Sequence, residues 1–264
     1  MRISYAIVSL FCGILLLSAC EKVINIDLND SESKVVIEGI VTNENGQLVH
    51  TILVSKSSKF SSEGKNNPVN NATVVITDAT SNITDTLVQT SPGNYNTSRI
   101  LGIIGHNYQL VVIVDGQQYT ANSTMPAQVM IDSLYIQELP VFGTNFKQVV
   151  PVFQDPFGTK NYYRFGVQVN DSVQRGVDAW DDLLSNGKLN SRPLQIENQD
   201  LLDGNDTVYV TMNNTDSATF AFFNTLYNAS GNAQTPGNPL SNISGGALGY
   251  FSAMTIQKSY VLVP

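Results

Sequence analysis

His50 and His106 are the two imidazoles of this 264-residue chain, so they are its only ordinary bases or neutral nitrogen ligands near neutral pH. They fall in different strand contexts, and a metal site would need a carboxylate to converge with both, which the spacing does not provide. His106, inside Gly105-His106-Asn107-Tyr108, reads as a turn residue. Oxygen ligands are denser at Asp200, Asp203, Asn205 and Asp206, around Gly204. Calcium takes roughly six to eight such oxygens, so this loop is a calcium candidate, with an ordinary solvated turn as the competing reading. The EF-hand order is absent, and Asp178, Asp181 and Asp182 form a poorer group. Two-carboxylate hydrolysis of the glycosidase type stays open with Asp178, Asp181 or Asp203, because such pairs meet only in space.

The single tryptophan, Trp180, has Tyr162 and Tyr163 upstream and could stack on a sugar or anchor a partner; core packing is the plainer reading. Ser244 to Phe251 carries Gly245, Gly246 and Gly249 but lacks the lysine and the strand-to-helix frame of a phosphate loop. Close backbone packing ahead of an aromatic strand explains those glycines better. No Gly-x-Ser-x-Gly elbow or His-Glu-x-x-His helix occurs.

What positions these residues begins at the N-terminus. Arg2, an apolar run from Ile7 to Leu17, and then Leu17-Ser18-Ala19-Cys20 match a bacterial lipoprotein cleavage box. The run is too short for a stable transmembrane anchor, so residues 1–19 read as a signal and Cys20 as the lipidated residue. Cys12 leaves with the signal and Cys20 is consumed by lipid, which removes both thiols and with them thiolate metal sites and cysteine nucleophiles. Loss of Arg2 makes the mature chain one charge more negative than the −8 of the whole sequence, which argues against nucleic acid as a partner.

Residues 20–33 form a tether whose alternation could add an edge strand. Strand-like runs follow at Lys34 to Thr42, Leu48 to Lys56, Ala72 to Thr77, Tyr108 to Val114 and Gln117 to Ala121, with Asn45-Gly46 and Asp115-Gly116 as hairpin turns. Ser57 to Asn71 is polar and reads as a mobile loop. Met125-Pro126 closes this block. A second one opens at Ile131 to Glu138 and continues with strands at Asn161 to Asn170 and Asp206 to Met212. A short helix is expected around Val177 to Leu184. A firmer one is expected after Asp216-Ser217, where Phe222, Phe223, Leu226 and Tyr227 recur at helical spacing and Gly231 stops it. The expected fold is mainly β: a β-sandwich domain over 34–126, then a β-rich domain over 127–264 with one or two packed helices.

An ordered series of short motifs runs through the mature chain. It comprises Val36-Ile37-Glu38-Gly39, Asn71-Ala72-Thr73-Val74-Val75-Ile76-Thr77-Asp78, Gly93-Asn94-Tyr95, Gly105-His106-Asn107-Tyr108-Gln109-Leu110, Asp115-Gly116-Gln117-Gln118-Tyr119-Thr120-Ala121, Ile131-Asp132-Ser133-Leu134 and Ser241-Asn242-Ile243-Ser244-Gly245-Gly246-Ala247-Leu248-Gly249-Tyr250-Phe251. Behind a lipobox, the series resembles an outer-membrane lipoprotein family of Bacteroidota catalogued as a domain of unknown function (family 4249). The first block by itself resembles the carboxypeptidase-regulatory and transthyretin-like sandwiches, structural modules without catalytic residues of their own, and the expected fold of this block is an Ig-like or transthyretin-like β-sandwich. The resemblance implies a lipid-anchored outer-membrane protein, usually at the cell surface, working beside a TonB-dependent receptor as a non-enzymatic accessory or ligand-binding component. A periplasm-facing orientation stays open, since Glu21 is followed by Lys22 and the acidic residues Asp27 and Asp30 arrive late. An anchored carboxylate-based hydrolase of glycans or peptides, and a structural or adhesion protein of the envelope, are the alternatives.

Five triplets, Asp85-Thr86-Leu87, Asp132-Ser133-Leu134, Asp171-Ser172-Val173, Asp206-Thr207-Val208 and Asp216-Ser217-Ala218, resemble the O-glycosylation acceptor of Bacteroidota envelope proteins. Thr86, Ser133, Ser172, Thr207 and Ser217 are then the candidate acceptors. The competing reading is local structure, in which Asp starts a turn and Ser or Thr opens the next element.

Overall fold

The computed structural model describes residues 33–44, 50–58, 67–141, 144–174, 176, 178–195, 202–230 and 237–264. The lipobox, the tether before Ser33, the Asn45-Gly46 turn, loop residues 59–66, Val177, Asp200 and the Gly231 stop lie outside them. The described chain is mainly β. Its first nine strands are β1 (Val35–Thr42), β2 (Thr51–Lys56), β3 (Asn67–Pro68), β4 (Thr73–Asp78), β5 (Ile83–Thr86), β6 (Val88–Ser91), β7 (Asn94–Asn96), β8 (Asn107–Val114) and β9 (Gln117–Thr124). The rest are β10 (Ser133–Val141), β11 (Thr144–Gln154), β12 (Tyr162–Val169), β13 (Ser172–Val173), β14 (Asp178–Asp181), β15 (Leu189–Asn190), β16 (Thr207–Thr215) and β17 (Leu248–Leu262), with one helix, α1 (Ser217–Ser230), before β17.

Period-two alternation builds the first core. Ile37 and Val41 of β1, Ile52 and Val54 of β2, and Tyr95 of β7 point into it from one sheet, and Val74, Ile76, Tyr108, Leu110 and Val112 from the sheet β5-β4-β8-β9. Each such side chain contributes about 1.5–3 kcal/mol by leaving water. Asp115 and Gly116, both at positive φ, make the two-residue β8–β9 turn, the conformation that a type I′ hairpin requires. Two residues of the long polar loop, Asn67 and Pro68, pair with β2 as β3.

The second core gathers Tyr163, Phe165 and Val167 of β12, Val208, Val210 and Met212 of β16, and Val149 and Phe153 of β11. Residues 178–181, where a helix was expected, are a strand. Asp178 and Trp180 are buried while Ala179 and Asp181 are half-buried, and the pairs Tyr163–Trp180 and Phe165–Asp178 add β14 to the edge of β12. Cross-strand aromatic packing, with Trp180 and Phe165 ring centroids 4.4 Å apart, overrides the local helix signal. The second helix forms as expected: the Asp216 carboxylate accepts the Thr219 N–H at 2.8 Å as the N-cap, and Phe222 and Phe223 pack on Tyr250. No helix among the described residues is long and apolar enough to cross a membrane.

The 15-residue β17 serves both cores. Residues 248–254 run parallel to β1, and residues 255–262 run antiparallel to β16. Ile243, Ala247, Phe251 and Ala253 thereby belong to the first core although they lie near the C-terminus. Gly249, at φ +96°, is where β17 comes closest to β1: a Cβ there would lie 2.0 Å from the Ile37 carbonyl oxygen. The strandless segment 125–132 is held by side-chain amides acting as a substitute strand. Asn214 accepts the Val129 N–H and donates to its carbonyl, and Gln257 does the same for Ile131.

Candidate functional site

Inward residues of β12, β16 and β17 fill the second core, so the alternate residues form an outer face on which strand pairing sets up rows. One row is Arg164–Asn213–Ile256, the next Gly166–Thr211–Lys258, and the third Gln168–Tyr209–Tyr260, extended to Val173 through the β12–β13 pair. Helix α1 covers the first row: the Arg164 guanidinium lies 4.3 Å from the Phe223 ring centroid, and Phe220 packs against Tyr162 at 5.2 Å. Beyond the helix the face is open. The absent side chain of Gly166 leaves a trough of about 340 Å³, with Thr211 and Lys258 along it and Gln168, Tyr209 and Val173 at its rim.

Tyr209 and Tyr260 are 44% and 64% exposed with ring centroids 6.0 Å apart, and Val173 is 73% exposed. Tyrosine rings on adjacent strands present large, rigid, amphipathic area at small entropic cost. Lys258 pairs with Glu44 at 2.5 Å, which leaves the trough polar but nearly neutral. Among the described residues no carboxylate or imidazole lines it. It can stack, hydrogen-bond and bury apolar area.

A smaller polar pocket of about 170 Å³ lies between β14 and α1, lined by Asp178, Trp180, Gln195, Asn224 and Tyr227. Burial pushes the Asp178 carboxyl above its usual range; the Gln195 N–H at 2.7 Å, the Trp180 indole and the Arg192 charge pull it back only in part. Among the described residues Asp178 is the one carboxylate lining this pocket. Asp181, three residues along the strand, belongs to the opposite face and accepts the Leu183 N–H, while Asp182 is buried and accepts the Asn161 N–H. Trp180 is 7% exposed, with Phe165 on one side and the Arg192 guanidinium 4.0 Å from its ring centroid, so it is a core residue.

The histidines do not meet at a site. His50 is buried, its Nδ1 accepts the Thr42 N–H, and burial holds its pKa down at about 4, opposed only in part by the Ile100 backbone. His106 pairs with Asp78 at 2.8 Å in the turn before β8, beside Gly105 at φ +83°. Burial alone would raise the Asp78 carboxyl, but hydrogen bonds from Ser81, His106 and Thr80 outweigh it and hold it below the usual range. Among the described residues no three His, Cys, Asp or Glu side chains gather as a metal site. Asp203, Asn205 and Asp206 share a turn closed by its own hydrogen bonds: the Asp206 carboxylate accepts the Asp203 N–H and the Asn170 amide.

Of the candidate acceptor hydroxyls, Thr86, Ser133, Ser172 and Ser217 are exposed and Thr207 is half-buried. Three of the preceding aspartates are engaged in structure: Asp85 accepts from Thr97, Ser98 and Arg99, Asp206 closes its turn, and Asp216 caps α1. Cys20 lies outside the described residues.

A family model described as "Domain of unknown function (DUF4249)" matches residues 21–259. The chain belongs to this family. The match takes in the first core and the residues lining the trough, and ends one residue before Tyr260. No curated protein matches the chain. A signal for the trough is present in the sequence: Tyr209 stands at an outward position between the inward Val208 and Val210, where polar residues are usual, and Tyr260 stands outward between Ser259 and Val261 on the neighbouring strand.

Proposed function

We propose that this member of the family is a lipoprotein anchored to the outer membrane through Cys20, a non-enzymatic accessory of a TonB-dependent receptor. The observation that carries the reading is the open trough on the β12–β16–β17 face. Tyr209 at its rim with Tyr260 beside it, the neutralised lysine, and a lining free of carboxylates among the described residues suit it to gripping a partner segment. The first block, as an Ig-like or transthyretin-like sandwich, is the spacer, and the clamped segment 125–132 passes its orientation to the trough. The exposed hydroxyls of Thr86, Ser133, Ser172 and Ser217 are the acceptor sites for glycan on the same envelope-facing body.

Intact mass of the protein from its native host tests the anchor. Diacylglyceryl and acyl additions at Cys20 are expected, and Cys20→Ala should leave the precursor uncleaved or misplaced. An unmodified Cys20 in the mature protein would overturn the anchoring.

A further inference from the structure

Two turns at one end of the second core present a compact apolar tip. Phe157 lies between β11 and β12, and Leu183 and Leu184 between β14 and β15; they are 87%, 75% and 85% exposed. Single exposed apolar residues are ordinary, but three large ones on adjoining turns make a patch. The turns are stitched together. The Asp155 N–H donates to the Lys188 carbonyl at 3.1 Å, the Gly187 N–H to the Asp155 carboxylate at 3.2 Å, and the Gly158 N–H to the Asn186 side chain at 2.9 Å. Asp155 is itself fully buried and accepts the Tyr163 hydroxyl. A Cβ at Gly187 would come within 2.8 Å of the Phe157 ring, so the two turns are in van der Waals contact. The exposure of these side chains is therefore built into the fold.

Charge of both signs surrounds the tip, and Lys160 feels the Asp182 and Asp181 carboxylates. Lys160 and Lys188 are exposed at its base, whereas the neighbouring Asp181 and Asp182 carboxylates are turned to the backbone N–H groups of Leu183 and Asn161. An aromatic and two leucines on convex turns, with lysines beneath them, fit a lipid headgroup–acyl boundary: apolar ends enter the boundary and ammonium groups stay at headgroup level.

We propose that the Phe157–Leu183–Leu184 tip dips into the bilayer surface and fixes the orientation of the anchored body. The inference takes its setting from the anchoring reading, because so small a tip binds weakly alone and a tether raises its effective concentration at the surface.

The test places an indole at the tip. Full-length lipidated protein carrying Phe157→Trp is reconstituted in vesicles containing anionic lipid and lipids brominated along the acyl chain. More than about half of the added emission should be quenched, as expected for an aromatic at the acyl boundary. Wild-type emission, from buried Trp180, should stay unchanged. Adding Leu183→Asp and Leu184→Asp to Phe157→Trp should abolish the quenching. Vesicle flotation reports the anchor separately; should the protein fail to float, an N-terminal histidine tag on nickel-chelating lipid supplies the tether and the tip is read in the same way. Tethered protein with an unquenched indole overturns the proposal, as does quenching that survives the two aspartates. Shielding of the indole from aqueous iodide only when receptor-bearing membranes are added, without quenching by brominated lipid, assigns the tip to a protein partner and also overturns it.

Discussion

Ser123 and Asp216, 93 residues apart, are joined by a 2.5 Å hydrogen bond from the serine hydroxyl to the carboxylate. The same serine oxygen accepts the Ala253 N–H at 2.8 Å, and the other Asp216 oxygen caps α1. One hydroxyl on β9 thus ties the first core to the C-terminal strand and to the start of the helix. Ser123→Ala removes the donor and leaves a buried N–H and a carboxylate oxygen short of a partner, at a cost of about 1–3 kcal/mol. Urea unfolding followed by fluorescence and by far-ultraviolet circular dichroism should show a lower midpoint with coincident transitions. Separate transitions for the two probes would mean that the cores are not coupled through this contact.

The shared strand gives a sharper contrast among glycines. Gly249→Ala puts a methyl 2.0 Å from the Ile37 oxygen at a backbone angle that disfavours side chains, so the β1–β17 pair must open and soluble folded protein should be lost. At Gly105, also at positive φ, a Cβ meets nothing within 4 Å, and Gly105→Ala should cost only about 1–2 kcal/mol of backbone strain. A fragment ending at residue 126 lacks Phe251 and Ala253 of the first core and should not fold alone. Thermal melts of the two variants and of the fragment check all three expectations.

Acid should act on the first core through His50. Its pKa of about 4 in the folded protein lies below the ordinary 6.5, so the unfolded chain binds the proton first as pH falls. Stability is therefore lost between about pH 6.5 and 4, by on the order of 3 kcal/mol, and the loss levels off below that window. Asp178, whose carboxyl is raised by burial, acts in the opposite sense, since its protonated form is favoured in the folded state. Denaturation midpoints across this range should fall for wild type and stay flatter for His50→Gln. An equal slope in both proteins would place the acid sensitivity elsewhere.

Legibility of the sequence followed the range of the forces involved. Alternation in β1, β8 and β12 and the Asp115-Gly116 turn are local, and they could be read directly. The Asp216 cap with Phe222 and Phe223 was equally plain. Residues 178–181 misled because a buried Asp and Trp at alternate positions look the same in sequence whether a helix or a strand edge receives them. The double service of β17 and the amide clamps of Asn214 and Gln257 depend on partners some 85–210 residues away, and no local pattern encodes them. The trough escaped for a related reason: Gly166, Tyr209 and Tyr260 become one surface only once three strands are in register.

Filling the trough should separate binding from folding. A Cβ at Gly166 has only Thr211 near it, at 3.9 Å, so Gly166→Val fits the strand and should hold or raise stability by up to about 1 kcal/mol. Its branched side chain occupies the floor between Thr211 and Gln168. Melting temperature should be maintained while partner retention drops; a fall in both would assign Gly166 a structural role instead.

Partner retention is also the most direct test of the account. Protein carrying a C-terminal tag is captured from native-host membranes in mild detergent, and co-captured proteins are quantified for wild type and for Tyr209→Ala with Tyr260→Ala. A TonB-dependent receptor should be enriched by wild type and reduced at least about tenfold by the double variant, the scale expected when two exposed aromatic anchors are removed. A folded wild-type protein that never enriches such a receptor, or a double variant that retains it equally, would contradict the account.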